Sequence, residues 1–187
     1  MYVKYHTAIF YSEKPANIRE KDYFHAVFAA HSIEIISTLK YNPTALSWYL
    51  QTFATTTQIQ HPNVAILGCS DSRVPVEMVF DQGIGDVFTI RVAGNYLDTS
   101  TYGSVEYACA HLKVKVVMVL GHEGCGAIGA ACLPVEEIDK QPKELRGLLM
   151  NIKGGLDSKK WLHIHDSKAR GCAAVVCNVK NQVFLCV

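Results

Sequence analysis

The chain has 187 residues, 49% of them hydrophobic and 19% charged, with a formal net charge of +1. Those values fit one globular domain with a sizeable core. They exclude a disordered chain and a strongly charged binder of nucleic acid or of an anionic membrane.

The elements follow in chain order. The first 60 residues read as a helical arm, with candidate helices at 16–39 and 44–55, broken near Asn42-Pro43. No basic segment followed by a sustained apolar one opens the chain, so no signal peptide is expected and the location expected is cytoplasmic. Residues 61–187 read as an α/β core within the same single domain. Val64 to Gly68, Val87 to Val92 and Lys115 to Leu120 are short runs rich in β-branched residues, as buried parallel strands are. They are also far too short to span a bilayer. Between them, Pro75 to Asp81 and Thr99 to Leu112 carry helical spacing, and a third helix opens at Gly124 or just after. Strand–helix alternation predicts right-handed crossovers and a mostly parallel sheet. The last stretch, AAVVCNV then Lys180-Asn181-Gln182 then VFLCV, predicts a hairpin that adds an antiparallel strand.

Two strand ends carry chemistry. Cys69-Ser70-Asp71-Ser72-Arg73 follows the first strand, and Gly121-His122-Glu123-Gly124-Cys125-Gly126 follows the third. The carboxyl edge of an open parallel sheet is where ligands bind. His122 and Cys125, two residues apart, can be presented by one loop to one ion, and Cys69 would join them from a neighbouring strand. One imidazole and two thiolates suit zinc, and three protein ligands leave a position open for chemistry. Asp71 and Arg73, two and four residues past Cys69, would share its side in extended backbone. Asp71 can accept the proton of metal-bound water in a hydrogen bond or swing in as a fourth ligand. A bidentate pair with Arg73 would hold it off the metal. Two thiolates neutralise the ion, so activity is expected to rise with pH above neutral.

These segments resemble the two zinc signatures of the β-carbonic anhydrases. FTIRVAGN at 88–95 and YGSVEYA at 102–108 are similar to the same family, as is the C-terminal stretch, while residues 1–60 match weakly. The resemblance implies an α/β fold with a four-stranded, mostly parallel central sheet and an added C-terminal antiparallel strand, flanked by helices. It implies one zinc per subunit on Cys69, His122 and Cys125, with Asp71 also ligating it in a closed form. It implies Asp71 and Arg73 as the catalytic dyad, and Phe88, Tyr107 and Gly126 along the substrate cleft. The activity implied is reversible hydration of carbon dioxide to bicarbonate and a proton by metal-activated hydroxide. The assembly implied is a homodimer or higher homo-oligomer, with no nucleic-acid or membrane partner. Ile66 stands where some members have a Trp that helps bind inhibitory bicarbonate. Inhibition by that route is therefore not expected, although Arg91 matches another residue of that site.

The same residues admit other readings. Gly124 to Gly129 fits G-x-G-x-x-G, but a dinucleotide site needs an acidic residue ending the next strand, and Lys143 to Met150 reads as helix. His163 and His165 read as structural residues. The remaining cysteines, 109, 132, 172, 177 and 186, read as packed thiols. Carbon disulfide or carbonyl sulfide as substrate, and a non-enzymatic zinc or redox-sensing protein, are the rival functions.

Overall fold

The computed structural model describes residues 5–11, by their backbone alone, and 59–186. Four strands form one sheet: β1 (Tyr5–Tyr11), β2 (Val64–Cys69), β3 (Val87–Val92) and β4 (Val116–His122), in the order β1-β4-β2-β3. Strand β2 runs parallel to both β3 and β4, with Cys69 opposite Val92 and Leu67 opposite Val119. Strand β1 lies antiparallel on the outer edge of β4, with Tyr5 opposite His122. The parallel part of the sheet therefore has three strands among the described residues.

Alternation along β2 divides the core in two. Ala65, Leu67 and Cys69 face a large cluster with Ile90, Val117 and Val119. Ile66 faces the other side, with Val74, Val76, Val79 and Leu120. Both faces of this central strand are buried, which is why it reads as an unbroken apolar run.

The helices are α1 (Val76–Val79), α2 (Thr99–Ala110), α3 (Gly126–Ala131), α4 (Val135–Ile138), α5 (Lys143–Gly155) and α6 (Ser167–Cys186). Helix α2 starts at a capping box: Asp98 accepts from the Ser100 and Thr101 amides, both at 2.9 Å, and Thr101 Oγ1 accepts from the Asp98 amide at 2.7 Å. Helix α5 occupies the stretch where a dinucleotide-binding fold would place its next strand, so that reading is set aside.

The C-terminal hairpin is not formed. Residues 167–186 are one helix, α6, which buries Ala174, Val175, Asn178, Val179 and Gln182. These positions repeat every three to four residues, the spacing of a helix face. The valines of that face favour strand by propensity, but packing against β4, α3 and β1 decides the outcome. The helical arm expected over residues 1–60 is also corrected at one place, since Tyr5–Tyr11 is a strand. The candidate helices at 16–39 and 44–55 lie outside the described residues.

Replacing Asp98 by Ala is expected to destabilise the protein by about 1 kcal/mol in urea unfolding. The Thr101 amide, first, holds the Asp98 carboxyl below its ordinary range, against a smaller opposing effect of burial. Its contribution is therefore full above about pH 4 and is lost as pH falls through the folded-state value. An Asp98→Ala protein as stable as the wild type at pH 7 would contradict the cap.

Candidate metal centre

Cys69 ends β2, His122 ends the adjacent β4, and Cys125 caps the start of α3. Parallel pairing of β2 with β4 brings the first two to the same sheet edge. Gly124, at φ +67°, turns the chain back so that Cys125 meets them. The ligand atoms of all three lie within 4.8 Å of one another, and all three residues are buried. This is the only such group among the described residues.

Cys69 Sγ and Cys125 Sγ are 3.9 Å apart. That is far beyond the roughly 2.05 Å of a disulfide. It is close to the separation of about 3.8 Å that two sulfurs take when each is about 2.3 Å from one tetrahedral zinc ion. His122 is fully buried, and its Nδ1 lies 3.1 Å from the Glu123 carbonyl, the geometry of an N–H donated there. Nε2 then carries the lone pair, and among the described residues it has no hydrogen-bond partner. A buried acceptor without a partner is costly, and a cation between it and the two sulfurs would satisfy it. The donor set fits zinc.

Charge at the sulfurs is already biased. The Cys125 thiol hydrogen bond, first, pulls Cys69 down to about 4 against the opposing effect of burial, helped by His122 and by the amides of Asp71 and Gly94. Those amides donate to Cys69 Sγ at 3.5 and 3.4 Å. The same bond to Cys69, with burial, pushes Cys125 up. The two thiols titrate as a pair, and the Asp71 and Gly94 amides favour negative charge on the Cys69 side.

Asp71 and Arg73 stand beside this cluster. Arg73 Nε and its amide each donate to Asp71 Oδ1 at 2.9 Å, and Arg73 Nη2 donates to Oδ2 at 2.6 Å. Arg73 Nη2 also donates to the Gly124 carbonyl at 3.1 Å, tying the two signature loops together. Asp71 Oδ2 is 3.8 Å from His122 Nε2. The Arg73 side chain, first, holds the Asp71 carboxyl well below the usual carboxylate range. The acid is thus ionised, adjacent to the donor cluster, and turned toward Arg73.

Phe88 and Tyr107 do not join the cluster. Phe88 is opposite Ala65, four positions before Cys69, about 13 Å back along the strand. Its ring stacks obliquely on Tyr107, with centroids 6.0 Å apart, and Tyr107 in turn lies 5.1 Å from His111. Tyr107 is 46% exposed. Gly126 is exposed as the first residue of α3, next to Cys125.

Arg91 has a role that the sequence reading did not give it. Its Nε donates to the Cys69 carbonyl at 2.9 Å and its Nη2 to the Asp71 carbonyl at 2.8 Å, so it clamps the loop that carries both residues. The signal was a single charge in the otherwise uncharged strand VFTIRV. Glu123 accepts from Cys172 Sγ at 3.1 Å. All seven cysteines are free thiols, and His163 and His165 are exposed and outside the cluster.

An open, mostly parallel sheet with a Cys-His-Cys donor set at the carboxyl ends of its parallel strands defines an α/β protein with a candidate metal centre. The family model described as carbonic anhydrase matches residues 64–185. The chain belongs to this family, in its β class. A carbonic anhydrase of Mycolicibacterium smegmatis is 48% identical over 84 residues, covering 45% of this chain and 41% of that one. Carbonic anhydrase 2 of Mycobacterium tuberculosis is 37% identical over 121 residues, covering 59% and 58%. The chain thus spans about half the length of these relatives. Among solved structures, the tetrameric β-carbonic anhydrases of Sordaria macrospora superpose with a TM-score of 0.63 at 26% identity, covering 76% of this chain and 75% of that one.

The metal-free protein is expected to carry one thiolate in the Cys69–Cys125 pair at pH 7, seen as ultraviolet thiolate absorption that is lost in Cys69→Ser and titrates well below the ordinary thiol range. Absorption that appears only near the ordinary thiol value of about 8.5 would contradict that pairing.

Proposed function

We propose that the chain is a zinc-dependent carbonic anhydrase, a carbonate dehydratase that interconverts carbon dioxide and bicarbonate. The observation that carries this reading is the convergence of Cys69, His122 and Cys125 beside an Asp71 carboxylate held by Arg73. In this reading Cys69, His122 and Cys125 hold zinc, which supplies the Lewis acidity that makes water nucleophilic near neutral pH.

The protein residues do the rest. Asp71 Oδ2, 3.8 Å from His122 Nε2, is placed to accept a hydrogen bond from water at the open side of the donor cluster. The three bonds from Arg73 keep that carboxylate ionised and oriented, and keep it from taking the fourth position itself. Arg91 fixes the backbone of the same loop, so the carboxylate stays in place relative to Cys69. Release of Asp71 from Arg73 would give the closed form.

Phe88 and Tyr107 stand too far along the sheet to wall the Cys69 of their own subunit. We assign them, with Gly126, to a cleft completed by a second copy of the chain in a homodimer or higher oligomer. A relative described as tetrameric supports such an assembly. Among the described residues no helix is long and apolar enough to cross a membrane. A single domain with a cytoplasmic location, and without nucleic-acid or membrane partners, completes the proposal.

Stopped-flow hydration of carbon dioxide at about pH 8.5 tests it, on protein of known zinc content. The expected result is rapid, zinc-dependent turnover that falls by at least about a hundredfold in Asp71→Ala, in the range of one lost hydrogen-bonding group at a reacting centre. One equivalent of zinc without hydration would overturn the proposed activity.

A further inference from the structure

Helix α6 reaches the metal centre through a chain of buried hydrogen bonds. Asn178 and Gln182 are each only 1% exposed, and both lie on the face of α6 turned into the core. Asn178 Nδ2 donates to the Gly94 carbonyl at 2.9 Å. Gln182 Oε1 accepts from the Leu97 amide at 2.9 Å, and Gln182 Nε2 donates to Asn178 Oδ1 at 3.1 Å. The orientation of both amides follows from chemistry. A backbone N–H can only donate and a backbone carbonyl can only accept, so each side chain has one permitted orientation. Gly94, held at its carbonyl by Asn178, donates its own N–H to Cys69 Sγ at 3.4 Å.

Gly94 has φ +71°, and a Cβ there would stand 2.8 Å from Ile152 Cδ1 and 3.3 Å from Ala127 Cβ, so the turn admits only glycine. Its N–H and its carbonyl belong to successive peptide planes that meet at its Cα, and a glycine has the widest choice of angle between them. Asn178 holds the second plane by its carbonyl and so limits where the first can aim its N–H.

We propose that Asn178, oriented by Gln182, is a positioning residue that sets the Gly94 N–H on the Cys69 sulfur and so tunes how strongly that thiolate donates to the metal. The inference rests on the reading of the cluster as a zinc centre. An N–H on a thiolate draws charge from the sulfur and favours its deprotonated form. Residues that orient metal ligands in this way typically change metal affinity about 10- to 100-fold when replaced.

The test compares the full-length wild type with Asn178→Asp and Asn178→Leu. Asp keeps the shape and loses the donor, and Leu removes the polarity without adding charge. Both are expected to weaken zinc binding about 10- to 100-fold in chelator competition. In the cobalt(II)-loaded proteins both should move the thiolate-to-metal charge-transfer band to lower energy, as a more electron-rich sulfur requires. Gln182→Glu, which keeps the acceptor for Leu97 and loses the hold on Asn178, should shift the band in the same direction. Folded variants with wild-type affinity and an unmoved band would overturn the proposal, since a role in packing alone leaves the sulfur's electronics unchanged. Should the variants fail to fold, cadmium-113 loaded into the wild type gives the answer directly. A through-bond coupling between the metal and the Gly94 amide proton is expected, and its absence would overturn the relay. Metal stoichiometry of the wild type reads the centre separately from the relay, and a wild type that binds no metal would overturn both.

Discussion

Two sulfurs and an imidazole nitrogen meet in a buried corner of the sheet, and none of the described residues satisfies the nitrogen. Three electron-pair donors at this distance repel one another unless a proton or a cation lies among them. The rest of the architecture maintains that convergence. Parallel pairing puts Cys69 and His122 on adjacent strand ends, and the left-handed Gly124 returns the chain so that Cys125 closes the triangle. Backbone amides from two different loops then lie against Cys69, each offsetting part of its negative charge.

Around this triangle the charged side chains form a second layer. Arg73 spans Asp71 and the Gly124 carbonyl, so one guanidinium joins the two signature loops. Arg91 secures the first loop from the β3 side through main-chain carbonyls alone. The division of labour is physical. Arg73 sets the charge state and direction of a carboxylate, while Arg91 sets where that carboxylate's backbone sits. From the opposite side, α6 braces the Gly94 turn, so the C-terminal helix and β3 share in holding Cys69.

Much of this was legible in the sequence, because the signals were local. β2, β3 and β4 were visible as β-branched runs, and the donor residues lay where two of these runs, β2 and β4, stop. His122 and Cys125, two residues apart, are close by covalent connection, and Cys69 needed only the rule that parallel strands present their carboxyl ends together. What was not legible depended on long-range packing. The valines of residues 173–186 favour strand locally, and only their burial at helical spacing against β4 settles the helix. Tyr5–Tyr11 could not be assigned to the sheet because an edge strand is chosen by its partner, β4, more than 100 residues away in sequence. Arg91 appeared as a residue shared with another member's anion site, whereas its contacts here are to main-chain oxygens that no sequence pattern displays.

The central claim is that Cys69, His122 and Cys125 hold one metal ion together, and X-ray absorption at the zinc edge of the purified, metal-loaded protein addresses it most directly. The account predicts two sulfur neighbours at about 2.3 Å, with the remaining neighbours being nitrogen or oxygen at about 2.0–2.1 Å. Replacing Cys125 by Ser should leave one sulfur. A shell of nitrogen and oxygen alone, or one with three or more sulfurs, would contradict it.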